Sequence, residues 1–424
     1  MSPVTDFTDY RLRWRVAKAR ADGMVPSIVA GVVRDGTLAW AGGAGAVPGP
    51  LTDTQYKIGS ITKTFTAVLI LQLVEEGLLS LDAPASSVLG EVGYADRSIR
   101  QLSAHSGGLQ AEPAGSWWER SEGGSFESLA GANDGSAAPC APDRQFHYSN
   151  LGYGLLGEIV ARLRGQTRWE VASERILTPL GMNRTSYQHS GTHAEGWSVH
   201  PYAQTLIAEP LPDTAAMAPA GQVWSTVADL ATYCGFLLEG HDDVLSPEVL
   251  GRAFTPQSGE EHAGLAYTHG LGFQIFRGGS GTLVGHSGSM PGFHAICTVD
   301  RTRHAGVVGL VNGTSGVPVA AFGADLWTSS SSGSRPCPSR GRPTRPCRPS
   351  SPTCSACGTG GPGRSSSPVR PAISWHDNGA SRHGASGSTP VGWSGSAATT
   401  RASSSGSYAE ATAWSRTSTS ARSS

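Results

Sequence analysis

The pattern of apolar and polar positions predicts a strand hairpin near the start of the chain and a buried helix after it. Ile28–Arg34 and Thr37–Trp40 are short, mostly apolar runs separated by Asp35-Gly36, a dipeptide that favours a tight hairpin turn. Thr64–Glu76 is apolar nearly all round before its closing glutamates, and Gly77 follows as a suitable C-cap. These runs predict a domain that contains both strands and buried helices.

Further strands are predicted much later in the chain. Gly281–Val284, Phe293–Val299 and Ala305–Val311 are apolar runs of strand length. The last two are separated by a turn around Asp300–His304. We therefore expect them to form an antiparallel pair.

The composition changes abruptly after Trp327. From Thr328 onward there is no Leu, Phe, Met or Lys, and Ser, Arg, Pro, Gly, Thr and Ala dominate. Such a segment cannot bury enough apolar surface to offset the entropy of ordering it, so we expect residues 328–424 to form a disordered tail. Its eleven arginines against Asp377 and Glu410 give it a net charge of +9, which leaves −10 for residues 1–327 in a chain whose total is −1.

A frameshift near codon 326 is our explanation for this tail, and a basic arm for nucleic acid is the alternative. If most third codon positions are G or C, reading from the third base of each codon can turn residues 327–335 into Asp-Val-Leu-Val-Glu-Arg-Glu-Pro, which continues the preceding helical pattern. Residues 407–422 can become a hairpin-like sequence in the same frame. Resequencing the gene tests this hypothesis, and we assign the tail no function.

Ser60 and Lys63 are candidates for a nucleophile and its base. Residues three apart on a helix share a face, so the lysine amine can reach the serine hydroxyl, which is a poor nucleophile until a base takes its proton. Burial in an apolar helix lowers the pKa of a lysine and suits it to that task. The chain has only three lysines, at positions 18, 57 and 63. The alternative is a serine N-cap followed by an ordinary lysine.

Tyr148 and Asn150 flank a serine just before the helix-like run Leu151–Val160. A tyrosinate near a lysine can take up a proton and return it to a leaving group, while an asparagine amide can bind both the lysine and a substrate carbonyl. Taken alone, such a tripeptide is most often part of a loop.

His286-Ser287-Gly288 is the third candidate, although the same tripeptide occurs at 105–107 and 189–191. Only the third copy lies among predicted strands, and we interpret the other two as turns in glycine-rich loops. Gly288 has no Cβ, so a substrate can lie against this strand edge. The backbone amide of Ser289 can then join that of Ser60 as an oxyanion hole.

In this order, S-x-x-K, Y-x-N and H-x-G resemble the motifs of the penicillin-recognising serine hydrolases, in the branch that holds class C β-lactamases, D-alanyl-D-alanine carboxypeptidases and related esterases. Leu102–Leu109 and Leu177–Met182 also look like segments of that branch. The resemblance therefore covers about residues 10 to 327.

The resemblance implies roles for the candidate residues. Ser60 would be acylated, Lys63 and Tyr148 would share proton transfer, and Asn150 would bind substrate. His286 would stand where many relatives have lysine. A lysine offers a permanent cation to a substrate carboxylate, whereas a histidine is only partly charged at neutral pH.

The resemblance also implies an α+β fold of the serine β-lactamase and DD-peptidase type, in which helices flank an antiparallel sheet of five or more strands. The sheet part would cover about 10–78 and 231–327 of a domain spanning 1–327. A mostly helical insert would cover about 80–230. The active site would lie between these two parts.

The implied function is hydrolysis of an ester, amide or β-lactam bond in a small-molecule or peptide acyl substrate, through a covalent acyl-enzyme. A catalytically inactive ligand sensor of the penicillin-binding type is the alternative. A conventional α/β-hydrolase is disfavoured, because no G-x-S-x-G nucleophile motif occurs.

No cofactor, metal, nucleic-acid or membrane partner is expected. His189, His193 and His200 lack carboxylate or cysteine partners at ligand spacing, and the seven scattered cysteines, with Cys354 and Cys357 among those in the tail, form no disulfide pattern typical of secreted proteins. The N-terminus has no signal-peptide core, and the longest apolar run is far too short to span a bilayer. We expect a soluble, cytoplasmic protein.

Overall fold

The computed structural model describes residues 4–200, 202–203, 205–260, 267–277, 281–314 and 316–331. All of them lie in one compact unit, Met1–Thr344. Most of the predicted tail, including both stretches used in the reading-frame hypothesis beyond residue 331 and the pair Cys354 and Cys357, lies outside the described residues.

An eight-stranded sheet forms the centre of the fold, and every pair of neighbouring strands in it is antiparallel. The twelve strands of the described chain are β1 Ser27–Arg34, β2 Thr37–Gly45, β3 Tyr56–Lys57, β4 Trp197–Val199, β5 Leu206–Ala208, β6 Trp224–Ser225, β7 Ser258–Gly259, β8 Tyr267–His269, β9 Gln274–Arg277, β10 Thr282–Met290, β11 Phe293–Asp300 and β12 Ala305–Val311. The sheet order is β2-β1-β12-β11-β10-β9-β8-β7, while β3 pairs with β6 and β4 with β5. The predicted antiparallel sheet is confirmed.

The hairpin between β1 and β2 follows from its turn residues. Asp35 and Gly36 both have positive φ, 46° and 72°, which is the backbone that a two-residue hairpin turn requires. The strand β1 is buried on both faces: Val29 and Val33 face one apolar core, and Ile28 and Val32 face a second one. The sheet is therefore covered on both sides.

Helices supply the two covering layers and the insert. They are α1 Asp6–Gly23, α2 Thr62–Glu75, α3 Ser86–Leu89, α4 Ile99–Ser103, α5 Phe126–Ala132, α6 Asn150–Arg164, α7 Arg168–Ala172, α8 Thr178–Leu180, α9 Ala218–Gly221, α10 Val227–Glu239, α11 Pro247–Ala253 and α12 Val319–Ser331. The helices α1 and α12 share the core that contains Ile28, whereas α2, α6 and α10 share the other. The described elements from about 80 to 230 are mostly helical, and α6, α7 and α9 among them pack against α2.

Two boundaries differ from their predictions. The strand β10 continues to Met290, so His286 lies in the middle of a strand rather than just after one. The helix α12 runs four residues past Trp327 and buries Ser329 and Ser330, although the composition changes at residue 328. In both places the element extends further than the local sequence predicts, because its residues are buried against the rest of the fold.

Two cysteines that looked scattered in the sequence are neighbours in the fold. The Sγ atoms of Cys234 on α10 and Cys297 on β11 lie 3.5 Å apart, and both residues are buried. They are free thiols, so this contact packs α10 against the sheet without a covalent bond.

Candidate active site

The serine of the S-x-x-K motif lies in a 3-10 turn, Gly59–Ile61, that leads directly into α2. Gly59 has a φ of 53°, and a Cβ atom there would lie 2.5 Å from the backbone nitrogen of Ser289, so glycine is required. The helix itself begins at Thr62 and its N-cap position, Ile61, makes no side-chain capping bond. Ser60 is therefore not the N-cap of α2, which removes the alternative explanation of the motif.

Lys63 is completely buried and makes three hydrogen bonds. Its Nζ donates to Ser60 Oγ at 3.0 Å, to Asn150 Oδ1 at 2.6 Å and to the carbonyl oxygen of Ala220 at 2.7 Å. Burial lowers the pKa of Lys63 to about 7, and the carboxylates of Glu112 and Glu119 oppose that shift. The amine thus has a substantial neutral fraction near pH 7. In that form its two protons are donated to Asn150 and to the carbonyl oxygen of Ala220, so its lone pair faces Ser60 Oγ.

Asn150, the first residue of α6, is fixed by a carboxylate that the sequence analysis missed. Its Nδ2 donates to both oxygens of Glu112, at 2.8 and 3.0 Å, and Trp118 Nε1 donates to Glu112 Oε2 at 2.6 Å. With its NH₂ group held in this way, Asn150 must turn Oδ1 towards Lys63. The only signal for Glu112 was its place just after the Leu102–Leu109 segment.

Tyr148 lies between Lys63 and a group of imidazole rings. Its ring centroid is 5.1 Å from Lys63 Nζ and 4.1 Å from the ring of His105, on which it stacks. The ring of His286 is 6.2 Å from that of Tyr148. The structure therefore brings the Y-x-N and H-x-G motifs to the same lysine.

The H-x-G motif lies where β10 loses one of its two neighbouring strands, β9, while it stays paired with β11. The pairing with β9 ends at Gly285 opposite Gln274, and the following residues run beside the serine turn. A Cβ atom on Gly288 would lie 1.9 Å from the carbonyl oxygen of Ile58 and 3.2 Å from the nitrogen of Ser60. Side chains two apart on a strand share a face, so His286 points to the same side as this contact.

His286 is neutral, contrary to the expectation that it is partly charged at neutral pH. It is 1% exposed, and burial together with the Lys63 ammonium lowers its pKa to about 3. Its Nδ1 bonds to the carbonyl oxygen of Ser287, which places the proton on Nδ1 and leaves Nε2 as an acceptor. Burial depth, which the motif does not encode, decides the charge state.

Two further histidines, His105 and His269, complete what we call the histidine wall with His286. His105 lies in a turn, as predicted, and it is also buried, with its Nδ1 accepting a hydrogen bond from the Ser149 amide at 3.0 Å. His269 ends β8, is fully buried, and meets His105 edge to face at 4.6 Å and His286 at 5.6 Å. Burial lowers the pKa of both well below 6.5. The sequence therefore predicted the turn that contains His105, but it did not predict that this ring stacks on Tyr148.

The remaining candidates stay apart from this site. His189 and His193 stack on each other at 3.6 Å and lie against Trp224. Among the described residues, no group of three or more His, Cys, Asp or Glu side chains could hold a metal ion. Nor does any helix in that part of the chain have the length and apolar character to cross a bilayer. The cellular compartment stays a prediction.

Comparison with known proteins gives consistent matches. The sequence profile of the family described as Beta-lactamase matches residues 12–329. The chain is 27% identical over 320 residues to Beta-lactamase-like protein 2 of Dictyostelium discoideum, a match that covers 69% of this chain and 57% of that protein. It is 26% identical over 328 residues to penicillin-binding protein 4 of Amycolatopsis lactamdurans, which covers 71% of this chain and 80% of that protein.

A solved structure agrees with these sequence matches. The octameric penicillin-binding protein homologue from Pyrococcus abyssi superposes with a TM-score of 0.68 at 27% identity, over 76% of each chain. Because the family profile spans most of the chain and the antiparallel sheet with its helical insert is shared, this chain belongs to the beta-lactamase family of penicillin-recognising serine hydrolases.

Proposed function

We propose that this protein is a serine hydrolase that transfers the acyl group of an ester, amide or β-lactam to Ser60 and then to water. The observation that carries the proposal is the environment of Lys63. Its Nζ is 3.0 Å from Ser60 Oγ, and two other acceptors bind its remaining protons. With a pKa of about 7, its neutral form can accept the serine proton.

In the proposed reaction, Lys63 takes the hydroxyl proton as Ser60 Oγ attacks the substrate carbonyl. The backbone amides of Ser60 and Ser289 stabilise the oxyanion, which the close packing of β10 on the serine turn supports. Tyr148, whose ring centroid lies 5.1 Å from Lys63 Nζ, passes a proton to the leaving group. Asn150 keeps the lysine aligned through Oδ1, and a substrate carbonyl would have to share its Nδ2 group with Glu112. Water then releases the acyl group by the reverse set of proton transfers.

Covalent labelling tests this proposal directly. A fluorophosphonate probe or a labelled penicillin should mark Ser60 in the wild-type protein, with no mark in Ser60→Ala. The same two proteins should then be assayed with short-chain p-nitrophenyl esters, nitrocefin and D-alanyl peptides. Labelling without turnover of any substrate would support the ligand sensor instead, while the absence of both would refute the proposed nucleophile.

A further inference from the structure

The helix α1 is apolar on two opposite sides. Its inner side, which includes Leu12 and Val16, packs in the core that contains Ile28. On the other side, five exposed residues form what we call the outer stripe: Phe7, Tyr10, Trp14, Ala17 and Ala21. At about 100° per residue, the centre of this stripe lies half a turn away from Leu12 and Val16. Within the described chain, the outer stripe therefore faces away from the core.

The outer stripe has the spacing of a helix that pairs with another helix. Its members are three or four residues apart, as at the a and d positions of a heptad. A helix that only covers a sheet needs a single apolar face. The aromatic members of the stripe are nevertheless open to solvent, with Phe7, Tyr10 and Trp14 at 64, 66 and 48% exposure. A contiguous exposed apolar surface of this kind indicates an interaction site.

Large side chains occupy one half of the outer stripe and small ones the other. The aromatic residues lie towards the N-terminus of α1, whereas Ala17 and Ala21 lie towards its C-terminus. When two copies of a helix lie antiparallel about a two-fold axis, every contact occurs twice, once in each direction. If the axis passes midway between Trp14 and Ala17, Trp14 lies opposite Ala17 of the second copy, and Tyr10 lies opposite Ala21. The stripe is therefore complementary in size to itself.

The charges of α1 do not call for an oppositely charged partner. The helix has five basic and three acidic residues, a net charge of +2. Three of the basic side chains already pair with aspartates, at 2.9, 2.6 and 3.2 Å: Arg13 with Asp9, Lys18 with Asp22, and Arg15 with Asp325 of α12. These pairs weaken the attraction of α1 to an anionic surface, and they also weaken the repulsion between two copies of it.

We propose that the outer stripe is a dimer interface, in which α1 packs antiparallel against α1 of a second copy of this chain. Pairing removes on the order of 300 Å² of aromatic surface from each copy, which is less than a stable interface buries, so we expect a Kd of about 10–100 μM. The helices α1 and α2 belong to different cores. The dimer therefore does not depend on the proposed function.

Sedimentation velocity of the full chain, at concentrations from about 1 to 300 μM, measures this association. Trp14→Ala leaves a gap opposite Ala17 of the second copy, and Ala17→Trp places two tryptophans against each other. We expect each change to raise the Kd at least about tenfold. Tyr202→Ala is the control, because it removes an aromatic side chain that is 91% exposed outside α1, and it should leave the Kd unchanged.

The double variant Trp14→Ala/Ala17→Trp tests the antiparallel register itself. It exchanges the large and the small residue, so tryptophan again lies opposite alanine at both symmetry-related contacts. We expect its Kd to return to within about threefold of the wild-type value. Both positions are exposed, so the variants should fold, and far-ultraviolet circular dichroism of each one checks this.

Three results would overturn the proposal: a wild-type chain that stays monomeric at the highest concentration, a dimer that Trp14→Ala leaves unchanged, or a double variant as weak as the single ones. A monomer that binds vesicles of phosphatidylcholine and phosphatidylglycerol, and releases them at high salt, would assign the stripe to a lipid surface instead. Failure to label Ser60 would remove the proposed function and leave the dimer in place.

Discussion

Lys63 and the three rings of the histidine wall are all buried, but they differ in how their polar atoms are satisfied. Ser60, Lys63, Asn150 and Glu112 form a continuous chain of hydrogen bonds that ends on a carboxylate. In the wall, by contrast, nitrogen atoms of all three histidines lack a partner within the described residues. Burial alone therefore does not determine the charge of a side chain. A buried group keeps a charge where hydrogen-bond acceptors or an opposite charge stabilise it.

The pKa values express this difference. Lys63 keeps a pKa of about 7 in complete burial, because Glu112 and Glu119 favour its ammonium form. His286 has only the Ser287 carbonyl in its favour, and its pKa falls to about 3. One side of the cleft can exchange a proton near neutral pH, and the other side stays uncharged there.

Replacement of Lys63 should have the largest effect. Lys63→Met keeps the length and the apolar stem but removes the base, so we expect kcat/KM for an activated ester to fall by about 10³-fold or more. The matched control is Lys18→Met, since Lys18 is exposed on α1 and pairs with Asp22. Steady-state kinetics on both variants give the comparison, and equal rates for Lys63→Met and wild type would refute the base.

The pH profile of Glu112→Gln tests whether this carboxylate tunes the lysine. In the wild type, kcat/KM should rise with pH through about 7, because Lys63 acts as a base only after it has lost its proton. Since the charge of Glu112 raises the pKa of Lys63, its removal should move this limb to lower pH and reduce the maximal rate about 10- to 100-fold.

A purely structural role for Glu112 would leave the acid limb where it is. The control variant is Glu127→Gln, an exposed glutamate in the first turn of α5, which should leave both the limb and the rate unchanged. If Glu112→Gln lowers the rate and the limb does not move, Glu112 only positions Asn150 and does not act on the charge of Lys63.

The histidine wall should make the fold sensitive to acid. The folded pKa values of His105, His269 and His286 lie below the ordinary value of 6.5, so the unfolded chain binds more protons once the pH drops below that value. The free energy of unfolding should therefore decrease as the pH falls from 7 to 5. We expect His269→Phe to reduce this decrease by about 1 kcal/mol per pH unit.

Urea unfolding at pH 7 and pH 5 measures the effect of this variant. His200→Gln serves as control, because His200 is exposed and lies outside the wall. If the free energy of unfolding falls equally between pH 7 and pH 5 in His269→Phe and in wild type, the charged form of His269 has a hydrogen-bond partner in the folded protein. That result would contradict the environment described above.

Ser329 is a buried polar residue outside the active site, and its substitution should have the smallest effect of the changes proposed. Its Oγ is fully buried in α12 and has no partner in the described part of the chain. Ser329→Ala removes the hydroxyl without adding volume, so we expect the free energy of unfolding to rise by about 0.5–1 kcal/mol. A matched Thr328→Ala change on the exposed side of the same helix should not stabilise the protein, and a loss of stability in Ser329→Ala would contradict the prediction.

The parts of the fold that depend on local sequence could be predicted. The hairpin at Asp35-Gly36 and the helix that ends before Gly77 follow from turn and capping chemistry, and the structure confirms both. The order of the three motifs also identified the residues that meet at Lys63. Their catalytic roles stay predictions until kinetics are measured.

The rest depends on contacts between distant segments. Glu112 and His269 carry no local pattern that marks them, and they reach the site only because a loop and the end of β8 fold against α6 and β10. The charge state of His286 depends on its 1% exposure and on Lys63, neither of which a motif records. The sequence therefore predicted the candidate reacting groups, but not the residues that surround them or the charge states that those residues impose.

Gly288 has a wider consequence for how such a site can change. Any side chain at this position would collide with the carbonyl of Ile58, so the gap between strand and serine turn has a fixed width. His286 lies on the same face, but it faces other rings rather than this gap. A change at residue 286 therefore alters the ring contacts on this face of β10, while the contact of β10 with the serine turn is held constant two residues away by Gly288.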